Sequence, residues 1–152
     1  MWESPLVQLH AIALYSHDGR RRDLRLRPGT LNVISGRSKT GKSALIDIVD
    51  YCFGRKGDHL PEGPITEQVA WYAVLVGDRH VPQLLIARPV PKGETSTQAM
   101  LSAAAGVDLP EEASDLKVNA DRRAVRAALD RLPRSCSRAL IGWLSERRET
   151  SA

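Results

Sequence analysis

Between Leu31 and Gly54 the chain reads LNVISGRSKTGKSALIDIVDYCFG, and this stretch constrains the fold more than any other. Gly36-Arg37-Ser38-Lys39-Thr40-Gly41-Lys42-Ser43 fits the phosphate-loop pattern G-x-x-x-x-G-K-[ST] without a gap. Thr30 to Ile34, just before it, is a short β-rich apolar run expected to form a buried strand. After it the period changes: Leu45, Ile48, Val49 and Cys52 fall at i, i+3, i+4 and i+7, one face of a helix. Gly54 follows as the expected helix C-cap. The chemistry explains the spacing. Successive N–H groups must point into one concavity where a phosphate replaces water, and Gly36 and Gly41 allow the backbone to curl that tightly. Lys42 is placed to reach the β- and γ-phosphates of a nucleotide and Ser43 to ligate magnesium. A glycine-containing turn before a core helix is the plainer alternative, and the full match with its flanks outweighs it.

The remaining composition sets limits. At 152 residues the chain is one domain long, with 42% hydrophobic and 26% charged residues. No apolar run approaches the roughly 20 residues of a membrane span, and MWESPLVQLH lacks the basic and apolar blocks of a signal peptide. Cys52 and Cys136 fit no metal spacing, and Cys52 lies on the apolar helix face, as a reduced, buried thiol would. The expected location is the cytoplasm. The net charge of +4 rests largely on arginine, clustered at Arg20–Arg22 with Arg25 and Arg27 and again from Arg122 to Arg148. Such clusters can meet DNA or RNA phosphates. Here each sits among acids or in strand alternation, the pattern of a solvated face.

Along the chain, VQLHAIALY reads as a strand, and Ser16-His17-Asp18-Gly19 as a hairpin turn. Arg21 to Arg27 alternates, Leu24 and Leu26 inward and Arg25 and Arg27 outward. Pro28-Gly29 turns into the strand of the loop. Beyond the helix, RKGDHLPEGP is a loop, and VAWYAVLV and Val81 to Val90 form a second hairpin around Gly77-Asp78-Arg79-His80. Lys92 to Leu116 reads as a surface segment with one short helical turn at most. Val125, Ala128, Leu129 and Leu132 mark a helix stopped by Pro133, and Leu140, Ile141 and Leu144 a second one over Ser137 to Arg147.

The order hairpin, P-loop, helix, hairpin resembles the N-terminal lobe of ABC-type ATPases of the SMC, RecF and SbcC class. The likeness is closest over Leu31 to Gly54, where NVISGRSKTGKSALIDIVDYCFG is similar to the opening of a group of bacterial SMC-like ATPases whose helix ends in a Tyr-Cys pair before a glycine. It covers about the first 90 residues, and Lys39 stands where the common pattern has glycine. The resemblance implies an α/β fold with a mixed sheet, a P-loop NTPase lobe of ABC/SMC-head type with antiparallel hairpins, followed by short C-terminal helices. It divides the chain into a nucleotide-binding lobe (1–91), a surface segment (92–118) and a helical segment (119–152), the root of a coiled-coil arm. ATP and Mg²⁺ are the implied ligands. Tyr15 and His17 become candidates for flanking the adenine or ribose, against their plainer readings as a core aromatic and a turn histidine. Gln98 becomes a candidate for the magnesium-contacting glutamine.

Hydrolysis in that class also requires an acidic strand end, a Ser-Gly-Gly signature and a late histidine. None of the three is present, and no histidine follows His80. The nearest imitation of the acidic strand ends in Asp78, which reads first as a hairpin turn. Three functions fit. The first is an ATP-binding half of an SMC-like ATPase, incomplete by itself, completed by a C-terminal ATPase half or a second copy and linked to DNA processing or defence. The second is a non-enzymatic nucleotide-binding regulatory module. The third, a compact P-loop kinase or GTPase, predicts parallel strands alternating with helices, which the second hairpin opposes.

Overall fold

The computed structural model describes residues 8–37, 41–55, 60, 63–92 and 97–131. Strand β1 (Gln8–Ser16) pairs with β2 (Arg21–Arg25) through the expected Asp18-Gly19 turn, and helix α1 (Ala44–Cys52) follows the loop. A single turn of helix, α2 (Pro64–Gln68), leads into the hairpin of β3 (Val69–Gly77) and β4 (Pro82–Pro89). Strand β5 (Gln98–Ala103), a 3₁₀ turn at Ala113–Asp115, the two-residue β6 (Ala120–Asp121) and helix α3 (Arg122–Asp130) complete the described chain. The sheet runs β2-β1-β3-β4-β5-β6, and every pairing is antiparallel.

Strands β3 and β4 sit in the middle and are buried on both faces, which is why their sequences are continuous apolar runs instead of alternations. Register fixes two cores. Ile12, Val74 and Ile86 lie opposite one another on one face, under Ile48, Val49, Tyr51 and Cys52 of α1 and Val125 and Leu129 of α3. On the other face Ala13, Tyr15, Ala73, Leu75, Leu85 and Ala87 meet Leu109 and Leu116. The segment carrying these two leucines crosses that face as a strap. Tyr15 Oη donates to Pro110 O at 2.7 Å, Arg21 Nη1 to Leu109 O at 3.2 Å, and Arg25 Nη1 pairs with Asp108 at 2.7 Å. The stretch 92–118, expected to lie on the surface, therefore supplies strand β5 and the cover of the second core.

The expected fold class is overturned. A mixed α/β sheet of P-loop NTPase, ABC/SMC-head type places the strand before the loop inside the sheet. Here 31–37 forms no strand, and the described sheet is wholly antiparallel. Both edges of β1 are taken, one by the tight hairpin with β2 and the other by β3. The turn after β2 then leads the chain away. Asn32 accepts from Arg27 N and donates to Arg27 O, both at 2.9 Å, and Thr30 Oγ1 donates to the same carbonyl. Leu31, Val33 and Ile34 are left 90%, 77% and 47% exposed. The buried strand expected over Thr30 to Ile34 does not form, because composition cannot supply the neighbouring strand that a buried position needs.

Helix α1 follows its expected period, with Ile48, Val49 and Cys52 buried, and Phe53 and Gly54 close it as a C-terminal cap. The helix around Val125 and Leu129 also forms, capped by the Asp121 side chain on Ala124 N at 2.8 Å. The Pro133 break and the second C-terminal helix lie outside the described residues.

Candidate phosphate-binding site

Of the eight residues of the motif, Gly36, Arg37, Gly41, Lys42 and Ser43 are described, while Ser38, Lys39 and Thr40 lie outside the described residues. The chain doubles back within them. Lys42 Nζ donates to Gly36 O and to Arg37 O, the latter at 2.6 Å, so the ammonium is seated on carbonyls five and six residues earlier. Gly41 makes this possible with φ of +83°, a conformation that a side chain would strain although Ile65 leaves room for a Cβ. The first turn of α1 is tight: Ala44 N bonds to Gly41 O at 3.1 Å, Leu45 N to Lys42 O at 3.3 Å and Ile46 N to Ser43 O at 3.2 Å. Ser43 has helical dihedrals and an exposed side chain that makes no capping bond.

A lysine ammonium and the positive end of a helix thus meet at one point. Two neutral carbonyls hold the ammonium, and phosphate oxygens would be charge-assisted, stronger partners for it. Ser43 presents a hydroxyl beside it that capping does not consume, which fits a magnesium ligand of the kind that shares its ion with phosphate and water. These features fit a phosphate group at this end of α1, with the Ser43 hydroxyl available to a magnesium ion.

The other candidates separate. Tyr15 is fully buried on the opposite sheet face, bonded to Pro110 O, and burial pushes its phenol up to about 12. It is the core aromatic of its plainer reading. His17 is exposed in the β1–β2 turn, and its amide donates to Gln68 O at the end of α2. Ile65 of that same helix lies beside Gly41. Gln98 begins β5, opposite Asp121. Asp78 closes the β3–β4 turn: Oδ1 accepts His80 N and Val81 N at 2.7 and 2.8 Å, and Oδ2 accepts Gln83 Nε2 at 2.8 Å. Those amide bonds, from Val81 and His80 foremost, hold its carboxyl below the usual value, and both oxygens are engaged in the turn.

The β2 arginines are largely matched by acids. Asp18 lies 3.3 Å from Arg20, and Asp23 lies 3.1 and 3.0 Å from Arg21 and Arg25. Among the described residues no helix is long and apolar enough to cross a membrane. Cys52 is buried as expected, its thiol pushed up to about 12 by loss of solvent, and Cys136 lies outside the described residues.

Sequence reasoning missed the other end of α1. Arg88, fully buried in β4, places its guanidinium 3.9 Å from the centre of the Tyr51 ring. Its Nη1 donates to Tyr51 O at 2.6 Å and Arg55 O at 2.7 Å. A charge embedded in the apolar run LLIAR was the available signal, since arginine is almost never fully buried unless partnered. No family model, no curated protein and no solved structure matches this chain.

Proposed function

We propose that the chain binds the phosphates of ATP–Mg²⁺ at residues 36–43 and that this is one half of a composite site. The observation that carries the reading is the closure of Lys42 onto Gly36 and Arg37 at the N-terminus of α1, which puts the motif's cation and the helix end at a single point. ATP and Mg²⁺, as opposed to another phosphorylated ligand, come from the resemblance of 31–54 to SMC-like ATPases. Phosphate oxygens would take the place of the Gly36 and Arg37 carbonyls at Lys42, and Ser43 would offer its hydroxyl to magnesium.

Turnover needs more. Phosphoryl transfer is achieved by positioning and by stabilising charge, with an acid to organise magnesium and water. Asp78 is committed to its turn, and Asp50 is buried 3.4 Å from Arg55 at the far end of α1. The isolated chain is therefore a binder with near-background hydrolysis. Leu31, Val33 and Ile34 support a composite site, because leaving a large aliphatic side chain in water forgoes about 1.5–3 kcal/mol of burial. A C-terminal ATPase half, or a second copy of the chain, is the partner that would cover them and supply the missing acid. DNA processing or defence is the setting that the resemblance attaches to such a pair.

The test is equilibrium binding by calorimetry. Wild-type chain is expected to bind ATP–Mg²⁺, and Lys42→Ala to lose measurable binding. Equal affinity in the variant would sink the site.

A further inference from the structure

The helix that begins at the phosphate loop is fastened at its other end, and the fastening is built around a buried charge. Arg88 is fully buried in β4. Three backbone carbonyls receive its guanidinium: Tyr51 and Arg55 from Nη1, and Gln98 from Nε at 3.4 Å. Its plane lies against the Tyr51 ring, and Tyr51 Oη in turn donates to Pro89 O at 2.6 Å, one residue along β4. The end of α1 is thus tied to β4 by the guanidinium and by the phenol.

Stability alone is a poor account of this arrangement. Desolvating a cation is costly, and an apolar residue of similar volume commonly packs as well or better. What a guanidinium adds is direction. Its donors are fixed in a plane, so two carbonyls from either side of the helix end are held at set positions. The helix is only nine residues long, with no side-chain cap at its loop end. A rotation or slide permitted at Cys52 therefore appears almost undiminished at Ala44, where the loop begins.

We propose that Arg88, with Tyr51 as its platform, is a positioning residue that sets the pose of α1 and so the placement of Lys42 and Ser43 at its loop end. This rests on the ATP-binding reading above and adds a specific residue to it. Arg88 acts through the helix, whose last turn it holds.

The experiment measures ATP–Mg²⁺ affinity and thermal stability in wild type, Lys42→Ala, Arg88→Lys and Tyr51→Phe. Arg88→Lys keeps the charge but cannot hold carbonyls in a fixed plane. Tyr51→Phe keeps the ring and deletes the hydroxyl that bonds to Pro89 O, so it retains the fold even where the arginine variant does not. At a temperature where each variant is fully folded, both are expected to bind ATP–Mg²⁺ about three- to tenfold more weakly than wild type. Hydrogen exchange at the Ala44–Ile46 amides should quicken in step with the lost affinity. Reduced melting temperature with unchanged affinity and unchanged exchange at those amides would overturn the positioning role and leave the ATP site standing. Absence of binding in wild type would overturn both.

Discussion

At the scale of single residues, Gly77 shows how closely the β3–β4 turn is built. A Cβ there would come 2.2 Å from Val81 O and 2.6 Å from Pro82 Cα, both backbone atoms that cannot swing aside. Gly77→Ala is expected to destabilise the chain by about 1–3 kcal/mol in urea denaturation, without altering ATP binding by the folded protein. Cys52 and Tyr15 give the molecule a pH signature. Both stay neutral in the fold, with pKa values raised to about 12 by burial, from 9.0 and 10.0. A raised value means that the folded state holds its proton longer than the unfolded state. Their contribution is whole below pH 9 and is lost as pH rises from about 9 towards 12. Denaturation midpoints should fall over that interval, and Cys52→Ala should flatten the lower part of the decline.

Elements differ in how far the sequence reveals them. The two hairpins and α1 were readable because turn chemistry and period are local: Asp18-Gly19, Gly77-Asp78, and the spacing of Ile48, Val49 and Cys52 each need only their neighbours. The positive φ at Gly41 is local in the same way, a turn that its own residue type allows. The strap was not readable. Leu109 and Leu116 follow no short period, and their burial is decided by Tyr15, Arg21 and Arg25, some 80 to 100 residues away in sequence. Nor was the state of 31–34, whose side chains would be buried only if a strand lay beside them. The strap makes its own prediction. Tyr15→Phe removes the bond to Pro110 O and should cost about 0.5–1.5 kcal/mol, with faster amide exchange through 107–116 and little change at α1.

At the scale of the whole molecule, an antiparallel sheet with both faces covered carries an extended apolar segment that it does not itself bury. Leu31→Asp and Val33→Asp should therefore leave the stability of the isolated chain within about 0.5 kcal/mol of wild type, while reducing any self-association seen by sedimentation. A marked loss of stability would mean that the segment already serves the core, and that no partner is needed to explain it. Lys42 and Ser43 lie at one end of α1 and the Arg88 clamp at the other. The most direct measurement is a titration of the labelled chain with ATP–Mg²⁺ followed by backbone amide shifts. The account predicts saturable shifts centred on Gly36, Arg37 and Gly41–Ile46, abolished in Lys42→Ala. Saturable shifts elsewhere with these amides unmoved, or no shifts at all, would contradict it.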